Sequence, residues 1–256
     1  MAIKIHPTAL VDANAQLGDN VSVGPYAIIE AATTIGDDCV IDAYAMIRSG
    51  TSMGRANRIF SHAVIGGLPQ DLGFDETLPS YVEIGNQNVF RENVTVSRPT
   101  QPEKSTRIAS NCYLMNNSHI GHDCVVGENN IIATGVALGG HVQLGQGIFI
   151  GGGTMIHQFC RIGSLVIISG AIGISKDVIP YTMIGGLPAH HFRLNMVGLR
   201  RAGIKGTRLK ALSTAFRCLR ERSTLDDIPA TDEIEYLKQW LADKSKRGIH
   251  GFLAAK

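Results

Sequence analysis

Aliphatic residues recur at every sixth position along much of the chain. One unbroken series runs from Ile5 to Ile65, and another runs from Ile108 to Ile174. A six-residue period fits neither an α-helix nor a flat strand, but it is typical of short strands joined by bends in a parallel β-helix. The pattern therefore predicts a mainly β prism in which three hexads form one coil of about 18 residues.

Two further positions of the hexad have a characteristic composition. Glycine often follows the aliphatic residue, as at Gly18 and Gly121, where we expect a tight bend that would tolerate a positive φ. The position four residues after the aliphatic one is usually small, so each hexad offers two residues to a narrow interior. Four of the five cysteines occupy this inward position and are predicted to be core residues: Cys39, Cys112, Cys124 and Cys160. We assign no role to Cys218.

The composition excludes several classes of protein. Of the 256 residues, 44% are hydrophobic, which is too many for a disordered chain, and no apolar run is long enough to cross a bilayer. The five cysteines include no Cys-x-x-Cys pair, which argues against a disulfide framework and a structural zinc site. The first residues lack the pattern of a secretory signal, so we expect a cytoplasmic protein.

The sixfold pattern is interrupted twice and then ends. Excursions at 67–82 and 98–107 leave the coil, either to carry function or as tolerated decoration. The pattern stops near Pro180, which predicts a β-helix over 1–180 and a small α-helical domain over 181–256. Helical spacing covers 190–201, 207–222 and 232–246, and Thr231 is the expected N-cap of the last helix.

The charge is distributed unevenly along the chain. Residues 1–179 carry 10 Lys and Arg against 15 Asp and Glu, whereas residues 180–256 carry 14 against 7. A basic C-terminal region suggests an anionic ligand or partner, although a solvated basic helical surface would look the same.

Histidines cluster within three successive coils. A register of 18 residues places His122 over Gly140 and Gln158, with His141 and His157 one residue to either side, and His119 lies on the same coil as His122. The imidazoles should therefore form a patch near one edge of the prism. The alternative is that they pack at the interface of a trimer.

This patch has the groups that acid–base chemistry requires. The imidazole of His122 could take a proton from a hydroxyl group and return it to a leaving thiolate. The neighbouring Asp123 could orient that ring, and Gly140 could leave a backbone N–H free to face a developing oxyanion.

The repeat resembles that of the left-handed β-helix acyltransferases, and the predicted hand comes from this resemblance alone. Members of that group are typically homotrimers with active sites between neighbouring prisms. Motifs along nearly the whole chain resemble the UDP-N-acetylglucosamine O-acyltransferase family: Pro69–Leu72, Ser118–Cys124, Gly139–His141, Ile156–Phe159 and Asn195–Gly203.

The resemblance implies transfer of a 3-hydroxyacyl chain from acyl carrier protein to the 3-hydroxyl of UDP-N-acetylglucosamine in lipid A biosynthesis. It implies no metal, no other cofactor and no nucleic acid, and the acidic carrier would suit the basic C-terminal region. By position, His122 would be the general base, Asp123 its partner and Gly140 the oxyanion donor. The expected substrate-binding residues are Gln70, Asp71, His119, His141, His157, Gln158, Gly170, Asn195 and Arg201. Gly170 would admit a long acyl chain, unless it only serves a bend.

The chain departs from the family pattern at four positions on the sugar-nucleotide side, namely Gly73, Ser97, Val197 and Ala202. These departures leave open an amino-substituted UDP-sugar as the acceptor.

Two other classes of protein are also open. One is a zinc hydratase similar to γ-carbonic anhydrases, which would hold metal between chains with three imidazoles, although His119, His122 and His141 do not have the spacing of that family. The other is a non-catalytic scaffold.

Overall fold

The structure is a computed structural model that describes residues 2–253, so Met1 and the last three residues of the predicted 181–256 domain lie outside it. The strands, in chain order, are β1 Lys4–Ile5, β2 Leu10–Val11, β3 Gln16–Leu17, β4 Ser22–Val23, β5 Ile28–Ile29, β6 Thr34–Ile35, β7 Val40–Ile41, β8 Met46–Ile47, β9 Thr51–Met53, β10 Arg58–Ile59, β11 Val64–Gly67, β12 Tyr81–Ile84, β13 Val89–Phe90, β14 Thr95–Ser97, β15 Ser105–Ile108, β16 Tyr113–Leu114, β17 His119–Ile120, β18 Val125–Val126, β19 Ile131–Ile132, β20 Ala137–Leu138, β21 Gln143–Leu144, β22 Phe149–Ile150, β23 Met155–Ile156, β24 Arg161–Ile162, β25 Ile167–Ile168, β26 Gly173–Ile174, β27 Thr182–Gly185 and β28 His190–Leu194. The helices are α1 Met196–Arg201, α2 Gly206–Glu221 and α3 Asp232–Ala242.

Successive strands rotate through three sheets, here named A, B and C, which contain 11, 9 and 8 strands. Sheet A begins with β1, sheet B with β2 and sheet C with β3, and each strand from β1 to β23 pairs in parallel with the third strand after it. His119 of β17, for example, is opposite Ala137 of β20 in sheet B. The predicted parallel coil with an 18-residue step is therefore confirmed.

Beyond the first coil, where Ile5 is exposed, the prism interior contains the two residues that each hexad was predicted to turn inward. Ile120 and its counterpart in the next coil, Leu138, are fully buried, and the small residue Cys124 is buried in the same core. The three other inward cysteines are buried as well, namely Cys39, Cys112 and Cys160. Their assignment to the core is confirmed, because one continuous cluster of buried aliphatic residues runs along the prism.

Most glycines that follow the aliphatic positions have a different role from the one expected, and the exception is Gly66, which has a φ of 83°. Gly18 and Gly121 do not have a positive φ, which occurs two residues later at Asn20 and Asp123, with φ of 62° and 61°. A Cβ on Gly121 would lie 2.6 Å from the carbonyl oxygen of Leu138 on the next coil. Glycine is needed there because neighbouring coils approach closely, and not because of the bend.

Both excursions are loops that join strands of the prism. The first loop lies between β11 and β12, and the second lies between β14 and β15. The loops contact each other, since the N–H of Glu103 donates to the carbonyl of Pro79 at 2.9 Å and the N–H of Tyr81 donates to that of Lys104 at 3.0 Å. Together they stand over the edge of the prism at which sheet B turns into sheet C.

The C-terminal region begins with strands and not with a helix. β27 extends sheet A beyond Pro180 by pairing with β25, and β28 then pairs with β27 in antiparallel fashion. The helix predicted over 190–201 is therefore wrong for 190–194, because pairing with β27 overrides the local spacing. The remaining helices, α1 to α3, follow it, and the hydroxyl oxygen of Thr231 caps α3 by accepting from the N–H of Ile234.

The helical region is joined to the prism by buried polar contacts. Arg161 of β24 pairs with the buried Asp177 at 2.8 Å, and its guanidinium lies 4.5 Å from the ring centre of Trp240 in α3. The ring of His191 accepts the N–H of Ile179 and contacts the carbonyl of His250 in the C-terminal segment. Among the described helices, none combines the length and the apolar character needed to cross a membrane.

Candidate active site

The candidate site lies at the bend between sheets B and C. The register His119–Ala137–Met155 in sheet B places His122, Gly140 and Gln158 above one another on three successive coils. The imidazole of His122 lies directly on Gly140, where an added Cβ would be 2.3 Å from its Nε2. The predicted stacking is therefore confirmed, and it leaves no space for a side chain at position 140.

His122 forms a hydrogen-bonded pair with Asp123. The Nδ1 atom of His122 lies 2.8 Å from Oδ2 of Asp123, and these side chains are 16% and 11% exposed. An ionised carboxylate can only accept, so in the neutral form of this ring Nδ1 carries the proton and Nε2 has the lone pair. The pair thus has the geometry of a base whose second nitrogen is oriented by a carboxylate.

The carboxylate of Asp123 is held by a residue of the second loop. Both the backbone N–H and the hydroxyl of Thr100 donate to Oδ2, each at 3.0 Å. Burial raises the pKa of Asp123, but the hydrogen bonds from Thr100 and His122 lower it by more, so the net pKa is below its usual value. Asp123 is therefore ionised at neutral pH.

Two further histidines belong to the patch. The Nε2 of His141 lies 3.7 Å from Oδ2 of Asp123, and its ring stacks on Phe159 with centroids 4.5 Å apart. The Nδ1 of His119 is 2.8 Å from the hydroxyl of Thr95. Burial lowers the pKa of both histidines below the usual value, so both are neutral at pH 7.

An open cleft of about 440 Å³ runs along this edge. His122 and Gly140 lie in its wall, and the remaining polar lining comes from Gln70, Ser97, His119, His157 and Gln158. Asp71 is exposed in the first loop, where its carboxylate accepts the N–H of Gly73 at 2.8 Å. The structure thus brings the predicted residues of the first loop to the same edge as the histidines.

Three predicted substrate-binding residues lie elsewhere in the chain. Gly170 is at the bend between sheets A and B, close to Gly152 on the previous coil. Asn195 is buried at the start of α1, where its side chain accepts from Gly198 and donates to Leu165. Arg201 is exposed in the last turn of that helix. A single chain does not bring these three residues to the cleft.

The site also has a set of groups that could hold a metal ion. His122, Asp123 and His141 each offer one ligand atom, and these atoms lie within 4.8 Å of one another. His119, the third imidazole considered for a zinc enzyme, is instead paired with Thr95. The same three groups can serve as a base with its orienting partners, so their geometry fits both a metal site and an acid–base site.

Sequence reasoning did not identify several neighbours of the patch. Thr100 and Thr106 fix Asp123, since the backbone N–H of Asp123 donates to the Thr106 hydroxyl at 2.9 Å. Phe159 supports His141, and Thr95 supports His119. The 18-residue register could have found Phe159, which follows His141 by one coil. It could not have found Thr100, which lies in a loop outside the register.

The matches to known proteins cover nearly the whole chain. The family description "Udp N-acetylglucosamine O-acyltransferase; Domain 2" matches residues 177–250, and "Bacterial transferase hexapeptide (six repeats)" matches 105–140. An acyl-acyl-carrier-protein–UDP-N-acetylglucosamine O-acyltransferase of Anaeromyxobacter is 43% identical over 232 residues, which is 90% of each chain. The chain belongs to the UDP-N-acetylglucosamine O-acyltransferase family. A second member, from Campylobacter jejuni subsp. doylei, is 44% identical over 96% of each chain.

Solved structures of the family have the same fold. The UDP-N-acetylglucosamine acyltransferase of Campylobacter jejuni superimposes with a TM-score of 0.91 at 35% identity, over 98% of this chain and 100% of that one. The enzyme of Bacteroides fragilis gives a TM-score of 0.90 at 34% identity, over 96% of this chain and 99% of that one. The fold is thus a left-handed parallel β-helix followed by C-terminal helices, and the predicted hand is confirmed.

Proposed function

We propose that this O-acyltransferase moves a 3-hydroxyacyl chain from acyl carrier protein to the 3-hydroxyl of UDP-N-acetylglucosamine, a step of lipid A biosynthesis. The family membership supports the reaction class, because named relatives are more than 40% identical to this chain over 90% or more of its length. The observation that carries the mechanism is the His122–Asp123 pair lying on Gly140 in an open cleft.

His122 is the general base in this proposal. Its Nδ1–H is bound to Asp123, so the Nε2 lone pair is free to take the proton of the sugar hydroxyl as that oxygen attacks the thioester carbonyl. The carboxylate then stabilises the imidazolium that forms. When the tetrahedral intermediate collapses, the C–S bond breaks and Nε2–H returns the proton to the leaving thiolate.

The N–H of Gly140 is the proposed donor to the oxyanion. It makes no hydrogen bond to any acceptor within residues 2–253, whereas the carbonyl of the same residue accepts from Phe159. An N–H group beside the base can stabilise the negative charge that develops on the carbonyl oxygen.

The substrates occupy the cleft and its continuation onto a neighbouring chain. Gln70, Asp71 and His141 hold the sugar, while His119, His157 and Gln158 line the sugar and acyl site. Gly170, Asn195 and Arg201 lie away from the cleft of a single chain, so their proposed contacts with the acyl chain and the nucleotide require the homotrimer. Light scattering is expected to give three times the mass of one chain.

The acceptor and the carrier are identified by direct assay. The protein is incubated with a panel of acyl carrier protein thioesters and UDP-sugars, and products are identified by mass. We expect a 3-O-acylated UDP-N-acetylglucosamine. Preferred acylation of an amino-substituted UDP-sugar would instead show that this sugar is the acceptor. That alternative is left open by the departures from the family pattern at Gly73, Ser97, Val197 and Ala202.

His122→Ala tests the mechanism. The variant should lose activity by about 10²-fold or more while retaining substrate binding, because only the base is removed. Unchanged turnover would refute the role of His122. Metal analysis of the purified active trimer tests the zinc alternative, which requires close to one equivalent of zinc per site and loss of activity on its removal.

A further inference from the structure

The Oδ2 atom of Asp123 is a junction between the prism and the second loop. It accepts from Nδ1 of His122 at 2.8 Å and from both the N–H and the hydroxyl of Thr100 at 3.0 Å. Within the described chain, no other group donates a hydrogen bond to this carboxylate, and the Nε2 of His141 is 3.7 Å away. The regular coils therefore supply the base and its partner, while a loop outside the register supplies the residue that holds that partner.

We propose that Thr100 is a positioning residue for acyl transfer, which acts by fixing the Asp123 carboxylate against His122. The inference rests on the proposed function of the His122–Asp123 pair. Thr100 is not among the residues that line the cleft, so its effect must pass through Asp123 and not through contact with substrate.

Asp123 needs this support because of its place in the fold. It lies at a bend with a φ of 61°, and its side chain is only 11% exposed, so water can solvate the carboxylate only in part. Two donors from one residue fix the direction of Oδ2 and replace the lost water. With the carboxylate fixed, Nδ1 of His122 keeps its proton and Nε2 keeps its lone pair over Gly140.

The loop that carries Thr100 is itself anchored on both sides. The N–H of Arg98 donates to the carbonyl of Gly67 at 2.8 Å, and β15 begins at Ser105 and pairs with β12. The N–H of Glu103 donates to the first loop at Pro79. Thr100 is thus placed by the same pair of loops that brings Gln70 to the cleft.

Thr100→Val tests the proposal because it removes the hydroxyl and keeps both the shape of the side chain and the backbone N–H. One hydrogen bond to a charged group is lost, so kcat should fall about 10-fold with KM for both substrates unchanged. Thr100→Ser, which restores the hydroxyl, should recover most of the activity. Ser105→Ala is the matched control, since that hydroxyl contacts Glu83 away from the pair and its loss should leave kcat unchanged.

A double-mutant cycle separates positioning from a general structural role. If Thr100 acts through Asp123, Thr100→Val should cause no further loss of kcat in an Asp123→Asn background. A 10-fold loss in both backgrounds, or no loss in the wild-type background with Thr100→Val folded, would overturn the inference. The outcome is distinct from failure of the proposed function, in which the wild-type protein shows no acyl transfer or His122→Ala retains full activity.

Discussion

The contact between His122 and Gly140 makes a quantitative prediction about the smallest possible substitution. In Gly140→Ala, the new Cβ would lie 2.3 Å from both Cε1 and Nε2 of His122 and 2.9 Å from Nδ1. Unbonded carbon atoms approach to about 3.5 Å, so the ring must move by roughly 1 Å or more. Gly140 does not have a positive φ, so alanine adds no backbone strain.

This displacement should abolish most of the activity without unfolding the protein. The ring cannot move that far and keep its 2.8 Å contact with Asp123, because the hydrogen bond would be stretched beyond its normal range. A misplacement of about 1 Å at a reacting group costs on the order of 10²-fold in rate. We therefore expect kcat to fall by about 10²-fold, with little change in melting temperature.

The measurement is the initial rate of product formation with carrier thioester and UDP-sugar, alongside a thermal melt. Gly251→Ala is the matched control, because its added Cβ would meet a neighbour only at 3.6 Å, far from the pair. It should leave both rate and stability unchanged. A folded Gly140→Ala protein with wild-type kcat would show that the ring of His122 has no fixed position relative to the reacting atoms.

Two predictions concern the stability and accessibility of buried groups. Burial lowers the pKa of His191 to about 4, below the value near 6.5 expected in the unfolded chain. Its contribution to stability is therefore present above pH 6.5 and is lost, by roughly 3 kcal/mol, as pH falls towards 4. Urea unfolding of wild type and His191→Gln at several pH values checks this, and parallel loss in both proteins would contradict it. Burial also raises the pKa of Cys124 and of Cys160 to about 12, so a thiol reagent at pH 8 should modify at most Cys218 before unfolding and all five cysteines afterwards. Rapid native reaction of more than one thiol would contradict the packing.

The repeat predicted the prism and the core of the site because both depend on one periodic rule. Once an 18-residue coil is established, the stacking of His122, Gly140 and Gln158 follows from counting. The inward cysteines follow from the same count. These features could be predicted from the sequence because each residue's neighbour on the next coil lies 18 residues further along the chain.

The remaining features depend on contacts that no local pattern encodes. Thr100 reaches Asp123 from a loop whose path is set by its anchors, and His190–Leu194 forms a strand because β27 is available as a partner. The glycines after the aliphatic residues are needed for the approach of the next coil, which the spacing alone did not distinguish from a bend. Asn195 and Arg201 lie away from the cleft of a single chain, so their proposed roles depend on a neighbouring chain that the sequence pattern does not place.

The uninterrupted pairing from β15 to β26 restricts where the chain can change length. Both loops precede His122, and every coil from there to Gln158 advances by the same step. Inserting one residue into a strand between His122 and Gly140 would turn the following side chains out of phase, and inserting a full coil would separate the ring from its glycine by an additional layer. Length variation that preserves the stacking of His122 on Gly140 is therefore restricted to the bends, where the loops at 67–82 and 98–107 leave the strand pairing intact.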